Sequence, residues 1–330
     1  MASTQMPVDT LSYLQFYPTL RCNFACSFCF NRGLPDLDDV WLADFEALVG
    51  KAAELGVAHI DMLGGEPTLH AGLADLVERI AGAGMRTTIS SNGTRPDIMA
   101  ALSQRFDPAA LGIGVSVNED GVSGALHDYI LAHRPMLKSI FPKSGRVPDV
   151  AAPYIEEEGI RYFLLFRDVM DRRDMAESIA FYEFDAAIAG LKSRYRGIDG
   201  VFCSGFVPDV ESQPRLAAAR CPAGTTKLSV LPDGTVYPCY LFFGYPAFAL
   251  GNILTDDFQQ IWQHPLLDHF RFFDQNRCPK TDCRLFSACH GGCPAMSYRF
   301  YNDLSGPDPR CMYGGRVDDV PPEPEAPISG

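Results

Sequence analysis

The cysteines constrain this chain more than any other feature, because they are numerous and they are grouped. Three of the 11 cysteines, Cys22, Cys26 and Cys29, lie near the start of the chain. The others begin at Cys203 and end at Cys311. A lone cysteine is commonly a small buried apolar residue, but in a reducing compartment clustered cysteines more often bind metal than form disulfides. The grouping therefore predicts two metal-binding modules.

Charge and hydropathy indicate which compartment and which partners to expect. The 330 residues carry 41 acidic and 28 basic side chains, a net charge of −13. Phosphate binding needs a basic surface, so this balance argues against nucleic acid as the main partner. No apolar run approaches the ~18 residues of a membrane span, and residues 1–10 lack the features of a signal peptide. The sequence predicts a cytoplasmic protein that binds neither nucleic acid nor membrane.

Strand-like and helix-like segments alternate through the first part of the chain. Hydrophobic periodicity predicts strands at 11–17, 57–63, 86–90, 111–117 and 161–167, and helices at 40–55, 71–83, 96–105 and 154–158. Regular alternation of this kind predicts an α/β fold with a parallel sheet and helices outside it.

The first cysteine group has the spacing C-x₃-C-x₂-C and directly follows the first predicted strand. Three thiolates on one short loop can hold three irons of a 4Fe–4S cube, whereas a full cysteine set needs four. The missing ligand leaves one iron open to a chelating substrate. A zinc site, or a structural cluster completed by a distant residue, is the alternative.

Small polar motifs follow successive predicted strands. They are Gly64, Gly65, Glu66 and Pro67 after the second strand, Ser91 and Asn92 after the third, Ser116 after the fourth and Arg167 after a later one. Enzymes with parallel sheets place their active sites at these carboxyl ends. Two glycines permit close backbone approach, and a strand-end carbonyl or Glu66 can accept a hydrogen bond from an ammonium group. Arg167 is either a ligand contact or a surface charge.

The cysteine loop, with Phe28 before its last cysteine, resembles the signature loop of the radical SAM superfamily, whose members cleave S-adenosylmethionine (SAM). The resemblance implies a partial (β/α)₆ barrel. It also implies that residues 64–67 contact the SAM amino group, and that Ser91, Asn92 and Ser116 contact its ribose and carboxylate. Arg167 becomes a candidate for the carboxylate, and Phe28 either shields the cluster or only packs.

The same resemblance implies the reaction. SAM binds the open iron of the cluster held by Cys22, Cys26 and Cys29, and the reduced cluster donates one electron to it. SAM then breaks into methionine and a 5′-deoxyadenosyl radical, which abstracts hydrogen from the substrate. The cofactors supply this chemistry, while the barrel orients them and excludes water.

The later cysteines resemble the SPASM extension found on many radical SAM enzymes, which carries two further 4Fe–4S clusters. The pattern is Cys221-x₁₂-Gly234-x₄-Cys239, then Cys278-x₄-Cys283-x₅-Cys289-x₃-Cys293, then Cys311. The family usually has C-x₂-C where this chain has Cys278-x₄-Cys283. A zinc-ribbon-like structural module is the alternative, since zinc also takes four thiolates.

The family's interleaved arrangement assigns the ligands of both auxiliary clusters. The first set is Cys203, Cys221, Cys239 and Cys293, and the second is Cys278, Cys283, Cys289 and Cys311. Seven of these match the family pattern, and Cys203 is the one cysteine left to complete the eight. If Cys203 is only a core thiol, the first auxiliary cluster has an open iron.

These assignments predict the following organisation: a disordered N-terminus at 1–10, the radical SAM partial barrel at 11–198, a small cysteine-rich SPASM domain at 199–318, and a disordered tail at 319–330. The tail from Val320 is rich in proline, which disfavours a packed structure.

The substrate is the least constrained prediction. By analogy with SPASM enzymes, the leading hypothesis is a maturase that cross-links, epimerises or oxidises a peptide or protein side chain. Sulfatase-maturing relatives have an Asp where this chain has Tyr240, which argues against that activity. The alternatives are a dehydrogenase or rearrangement enzyme for a sugar, amino acid or tetrapyrrole side chain, and a non-catalytic electron-transfer protein.

Two partners are expected besides the substrate. An electron donor such as a flavodoxin or ferredoxin would reduce the cluster. Because about ten residues precede the first predicted strand, we expect any leader peptide to be bound by a separate protein.

Overall fold

The structure, a computed structural model, describes residues 11–118, 121–201, 221–271, 276–316 and 318–320. The predictions of disorder at 1–10 and from 321 onward lie outside the described residues, as does the predicted ligand Cys203. Val320, at the start of the predicted tail, is buried.

One sheet of ten strands organises the described residues, in the order β10-β9-β8-β1-β2-β3-β4-β5-β6-β7. The strands are β1 Tyr13–Phe16, β2 His59–Met62, β3 Arg86–Ser91, β4 Leu111–Ser116, β5 Met136–Ile140, β6 Tyr162–Leu165, β7 Ile198–Val201, β8 Lys227–Val230, β9 Thr235–Tyr237 and β10 Gly251–Asn252. The pairs from β8 through β1 to β7 are all parallel, while β9 pairs antiparallel with both β8 and β10. The predicted α/β partial barrel is confirmed.

Twelve α-helices lie in the described part of the chain. They are α1 Leu42–Glu54, α2 Leu73–Gly82, α3 Pro96–Arg105, α4 Gly124–His133, α5 Ala152–Glu156, α6 Arg172–Met175, α7 Phe181–Arg194, α8 Phe258–Trp262, α9 Asp268–Arg271, α10 Phe286–Cys289, α11 Pro294–Tyr301 and α12 Pro309–Tyr313. None of these helices has the length and apolar character needed to cross a bilayer.

The pattern of apolar residues explains how the helices cover the sheet. In α2 the buried side chains are Leu73, Leu76, Val77 and Ile80, which at helical spacing form a single stripe. The strand residues of β1, in contrast, are all buried. A strand buried on both faces is expected where helices cover one side of the sheet and a filled interior occupies the other.

The predicted strands and helices are all present, with ends shifted by a few residues. Helices α4 and α7 and strands β5 and β7 were not predicted. Strand β5 has the sequence Met-Leu-Lys-Ser-Ile, in which Lys138 and Ser139 interrupt the apolar run, yet both are buried. Helix α4 did carry a local signal, because Ser123 caps it by accepting a hydrogen bond from the Leu126 N–H at 3.2 Å.

The sheet includes residues from both predicted modules. Strand β8, from the cysteine-rich segment, pairs with β1 in parallel, Leu14 opposite Leu228 and Phe16 opposite Val230. Strand β7 spans the predicted boundary between residues 198 and 199. Sequence periodicity cannot reveal such pairing, because the two strands are far apart along the chain.

Replacing Leu228 in β8 tests whether this pairing supports the barrel. Leu228 is fully buried, so Leu228→Ala should lower the free energy of unfolding by about 2–5 kcal/mol. Urea titration of the metal-free protein, followed by circular dichroism, measures this loss. Leu131→Ala, at a position 39% exposed, is the control and should change the free energy by less than about 0.5 kcal/mol. Equal stability of the two variants would show that β8 contributes nothing to the barrel.

Candidate active site

A cavity of about 560 Å³ opens at the carboxyl ends of the parallel strands. The residues predicted from the sequence that line it are Cys22, Cys26, Phe28, Cys29, Gly64, Gly65, Glu66, Ser91, Asn92 and Ser116. The structure therefore brings together the cysteine loop and the ends of three strands. Pro67 and Arg167 are not among the lining residues that the structure describes.

The two glycines bring the end of β2 against the backbone that leads into the cysteine loop. The Gly65 N–H donates to the Thr19 carbonyl at 3.0 Å, and the Glu66 N–H donates to the Arg21 carbonyl at 2.8 Å. A Cβ atom at Gly65 would overlap that Arg21 carbonyl, and Gly64 has a φ of +130°. The close approach predicted from these glycines is therefore made to the protein's own backbone.

Glu66 connects the ends of two strands. Its side chain is almost fully buried. Oε1 accepts from the Thr68 N–H at 3.1 Å, the Thr68 hydroxyl at 2.6 Å and the Ser91 hydroxyl at 2.9 Å, and Oε2 accepts from the Asn92 N–H at 2.6 Å. Four donors from the chain itself thus engage this carboxylate, which fixes Ser91 and Asn92 at the cavity.

Asn92 extends this network to the first cysteine. Its Nδ2 donates to Asn23 Oδ1 at 2.9 Å and contacts Cys22 Sγ at 3.9 Å. Thr94 donates to Asn92 Oδ1 at 2.7 Å and accepts from Asn23 Nδ2 at 2.8 Å. The end of β3 therefore holds the start of the cysteine loop in place through neutral amide and hydroxyl groups.

The far end of the cysteine loop is held by ion pairs. Arg32 contacts Asp171 at 3.1 Å and Asp174 at 3.0 Å. Arg167 lies 3.6 Å from the same carboxylate of Asp174. The side chain of Asp174 is only 6% exposed, so this carboxylate stabilises both arginines in a largely dry setting.

Lys138 is a cavity-lining cation that sequence reasoning missed. It lies in β5, and burial lowers the pKa of its ammonium group to about 8, against the opposing effect of the Asp61 and Glu66 carboxylates. The sequence signal for this residue was a lysine within the short apolar run of β5, which lies between two segments that break strands. The predicted cation Arg167 is instead engaged with Asp174, outside this cavity.

The thiols of the second auxiliary set lie close enough to influence one another. Burial, followed by the Asp308 carboxylate and the thiols of Cys278 and Cys283, raises the pKa of Cys289 to about 11. Burial, with Asp308 and Cys289 contributing, raises the pKa of Cys311 to about 12. The assignment of these four thiols to one cluster stays a prediction.

The thiols of the first auxiliary set lie nearer the hydrophobic core. Cys239 is buried, while Cys221 and Cys293 pack against the core. Among the described residues, no three cysteine, histidine or acidic side chains converge on the position of a single metal ion. A cube of four irons and four sulfurs is wider than one ion, so its ligands stand further apart.

Comparison with known proteins agrees with this geometry. Residues 16–130 match the family model of the radical SAM superfamily, and residues 221–294 match that of the SPASM iron–sulfur cluster-binding domain. The chain is 25% identical to the mycofactocin maturase MftC of Mycolicibacterium smegmatis over 90% of this chain and 81% of that protein. It is 24% identical to the PqqA peptide cyclase of Methylocella silvestris over 95% of this chain and 90% of that protein.

Solved structures show the same fold. Streptococcus suis SuiB bound to S-adenosylmethionine superposes with a TM-score of 0.72 at 17% identity, covering 92% of this chain and 78% of SuiB. SuiB bound to its precursor peptide SuiA gives a TM-score of 0.70 at 16% identity, with 92% of this chain and 76% of SuiB covered.

A parallel partial barrel with three thiols at its cavity has the architecture of an iron–sulfur enzyme. The chain contains a radical SAM domain at residues 16–130 and a SPASM domain at residues 221–294. It is an enzyme that acts through radical SAM chemistry, and its two domains imply 4Fe–4S clusters and SAM as cofactors.

Replacing Gly65 tests the contact that positions the cysteine loop. Gly65→Ala should lower the free energy of unfolding by at least about 2 kcal/mol, because the new methyl group overlaps the Arg21 carbonyl. We also expect the variant to bind less iron on reconstitution. Gly82→Ala is the matched control, since a Cβ there meets open space and a helical alanine gains up to about 1 kcal/mol. A Gly65→Ala protein with wild-type stability and iron content would contradict this interpretation.

Proposed function

We propose that this enzyme modifies a side chain of a peptide or protein substrate, by cross-linking, epimerisation or oxidation that begins with hydrogen abstraction. The observation that carries the proposal is one cavity lined by three clustered thiols and by the polar ends of successive strands. The relatives support the peptide substrate, because a maturase and a peptide cyclase are similar to this chain over nearly their whole lengths.

The three thiols at the cavity fit a cluster with one open iron. Cys22, Cys26 and Cys29 would hold it. Burial raises the pKa of Cys29, and the Cys22 thiol lies close enough to raise it further. A reduced 4Fe–4S cluster held by these thiols would supply the one electron that cleaves SAM into methionine and a 5′-deoxyadenosyl radical. Asn92 and Arg32 hold the loop at its two ends, so the thiols keep their orientation toward the cavity.

Other cavity residues would bind SAM itself. Gly64, Gly65 and Glu66 remain candidates for its amino group, and Ser91, Asn92 and Ser116 for its ribose and carboxylate, whereas Pro67 does not line the cavity. For the SAM carboxylate we propose Lys138 in place of Arg167, because Lys138 lines the cavity and Arg167 pairs with Asp174. Phe28 and Phe30 also line the cavity and would limit the entry of water.

The auxiliary ligand sets stay as the sequence predicts them, with Cys203 outside the described residues. Buried thiols with a raised pKa are protonated at neutral pH, so metal binding at these sets would release protons. An external one-electron donor, such as a flavodoxin or ferredoxin, would reduce the cluster at the cavity.

Turnover of a candidate precursor peptide tests the proposed function. The reconstituted protein, reduced by dithionite and given SAM, should release 5′-deoxyadenosine and modify a peptide encoded beside its gene. Cross-linking or oxidation changes the mass of the peptide in water, and epimerisation adds one deuterium when the reaction runs in D₂O. The triple variant Cys22→Ala, Cys26→Ala, Cys29→Ala should lose about four irons and both products, yet stay soluble. Mass spectrometry of the peptide and chromatography of 5′-deoxyadenosine are the measurements.

Each other outcome points to a different function. Release of 5′-deoxyadenosine with modification of a small molecule, and of no peptide, would favour the small-molecule enzyme. If an iron-loaded protein released no 5′-deoxyadenosine, electron transfer would be the remaining candidate function. Release by the triple variant would refute the role of the three cysteines.

The assignment of Lys138 predicts a pH dependence of SAM binding. Lys138→Met should weaken SAM binding roughly ten- to a hundredfold, since a hydrogen bond to a charged group contributes about 1.5–3 kcal/mol. In the unmodified protein only the charged ammonium attracts a carboxylate, so the Kd should rise as the pH passes about 8. Lys138→Arg should bind SAM with a Kd that does not change over that pH range. Anaerobic calorimetry measures each Kd.

Lys143→Met, on the exposed loop after β5, is the control and should bind SAM as the unmodified protein does. If Lys138→Met also binds SAM normally, another residue holds the carboxylate.

A further inference from the structure

A buried network of charges lies between the barrel and the auxiliary cysteines. Tyr240, which follows the predicted ligand Cys239, donates its hydroxyl hydrogen to Asp168 Oδ2 at 2.7 Å. Asp168 follows the end of β6 and is 6% exposed. Its other oxygen, Oδ1, lies 3.6 Å from Nη1 of Arg310. One carboxylate thus joins the barrel to both halves of the cysteine-rich segment.

Arg310 is the cation of this network and is itself buried, with 3% of its side chain exposed. Its guanidinium binds the Asp308 carboxylate through two hydrogen bonds, of 3.0 Å from Nε and 2.7 Å from Nη2. Nη1 donates to the backbone carbonyl of Arg167 at 3.0 Å, and the guanidinium lies over the ring of Phe166 at 4.3 Å. The geometry is that of a strong bidentate pair shielded from water.

The network touches ligands of both predicted auxiliary centres. The N–H of Cys293, in the first set, donates to Asp308 Oδ2 at 3.0 Å. Cys311, in the second set, directly follows Arg310 in helix α12, which Asp308 caps. Gly292 lets Asp308 approach, since a Cβ there would overlap the Asp308 side chain. Asp308 and Arg310 therefore lie between ligands of the two centres, whereas Asp168 binds Tyr240, the residue that follows Cys239 of the first set.

The network places fixed charges beside cysteines that are predicted to bind redox centres. It contains the guanidinium of Arg310 and the carboxylates of Asp168 and Asp308, all of them buried. Screening by solvent is weak in such a setting, and a nearby fixed charge changes how readily a cluster accepts an electron. A carboxylate disfavours the additional negative charge of the reduced centre, and the guanidinium favours it.

We propose that Asp168, Asp308 and Arg310 set the reduction potentials of the two auxiliary iron–sulfur centres. Asp168 lowers the potential of the centre that Cys239 and Cys293 hold, and Asp308 lowers the potential of both. Arg310 opposes them. This inference rests on the proposed ligand sets, and it assigns the three residues a positioning and tuning role with no direct contact to the substrate.

Redox titration of full-length variants tests the proposal. The parent is the Cys22→Ala, Cys26→Ala, Cys29→Ala chain, in which only auxiliary centres remain to take one electron each from dithionite. We expect two reduction steps, followed by electron paramagnetic resonance. Asp168→Asn keeps the size and an acceptor for Tyr240, and it should shift one step to a more positive potential. The shifted step should be the one that Cys239→Ala abolishes.

Two further variants make the test decisive. Asp308→Asn should shift both steps to more positive potentials, and it carries the test if Asp168→Asn fails to fold. Tyr240→Phe removes the same hydrogen bond to Asp168 without removing charge, so it should produce no positive shift. A purely structural role would change iron content or stability and leave the potentials in place.

The possible failures are distinguishable. If the parent chain shows no auxiliary reduction steps, the ligand sets fail and this inference falls with them. If both steps are present in Asp168→Asn and Asp308→Asn at the parent's potentials, only the tuning role is overturned. A shift in Tyr240→Phe as large as that in Asp168→Asn would also overturn it, because it would show that packing and not charge sets the potential.

Discussion

The backbone contact between residues 64–66 and 19–21 is the constraint on which the active site depends. Because Gly65 carries no side chain, the end of β2 packs directly on the segment that enters the cysteine loop. Glu66 then fixes the end of β3, and Asn92 at that end reaches Cys22. The hydrogen bonds of Glu66 are buried or partly buried, while the contact of Asn92 with Cys22, at 3.9 Å, is exposed. Together these links make the three thiols, the strand ends and the cavity one structural unit.

A second set of contacts connects the cysteine-rich segment to this unit. Strand β8 adds hydrogen bonds beside β1, and the ion pairs of Arg310 and Asp168 add charge contacts beside β6. Removing one partner of a buried ion pair lowers the stability by more than the pair contributes, because the remaining charge is then neither paired nor solvated. The auxiliary cysteines are thereby held at a defined place relative to the barrel.

Local patterns predicted the parts of this enzyme that depend on neighbouring residues. The spacing of Cys22, Cys26 and Cys29, the helical stripes and the polar strand ends are all short-range features, and ten of the predicted site residues line the cavity. The pairing of β8 with β1 and the contact between Asp168 and Tyr240 join residues far apart in sequence. No periodicity encodes such contacts, so they emerged only from the structure.

The two candidate cations, Arg167 and Lys138, show the same limit of sequence-based prediction within the site. Arg167 follows a predicted strand, whereas Lys138 lies in β5, which was not predicted, and guanidinium is the better partner for a carboxylate on chemical grounds. The difference between them is that Asp174 already pairs with Arg167. Lys138 faces the cavity, and the charges of Asp61 and Glu66 are more distant from it. Asp174 also binds Arg32, so the carboxylate that removes Arg167 from the ligand site is the one that anchors the cysteine loop. The position of Arg167 and that of the cysteine loop are therefore linked through this one buried side chain.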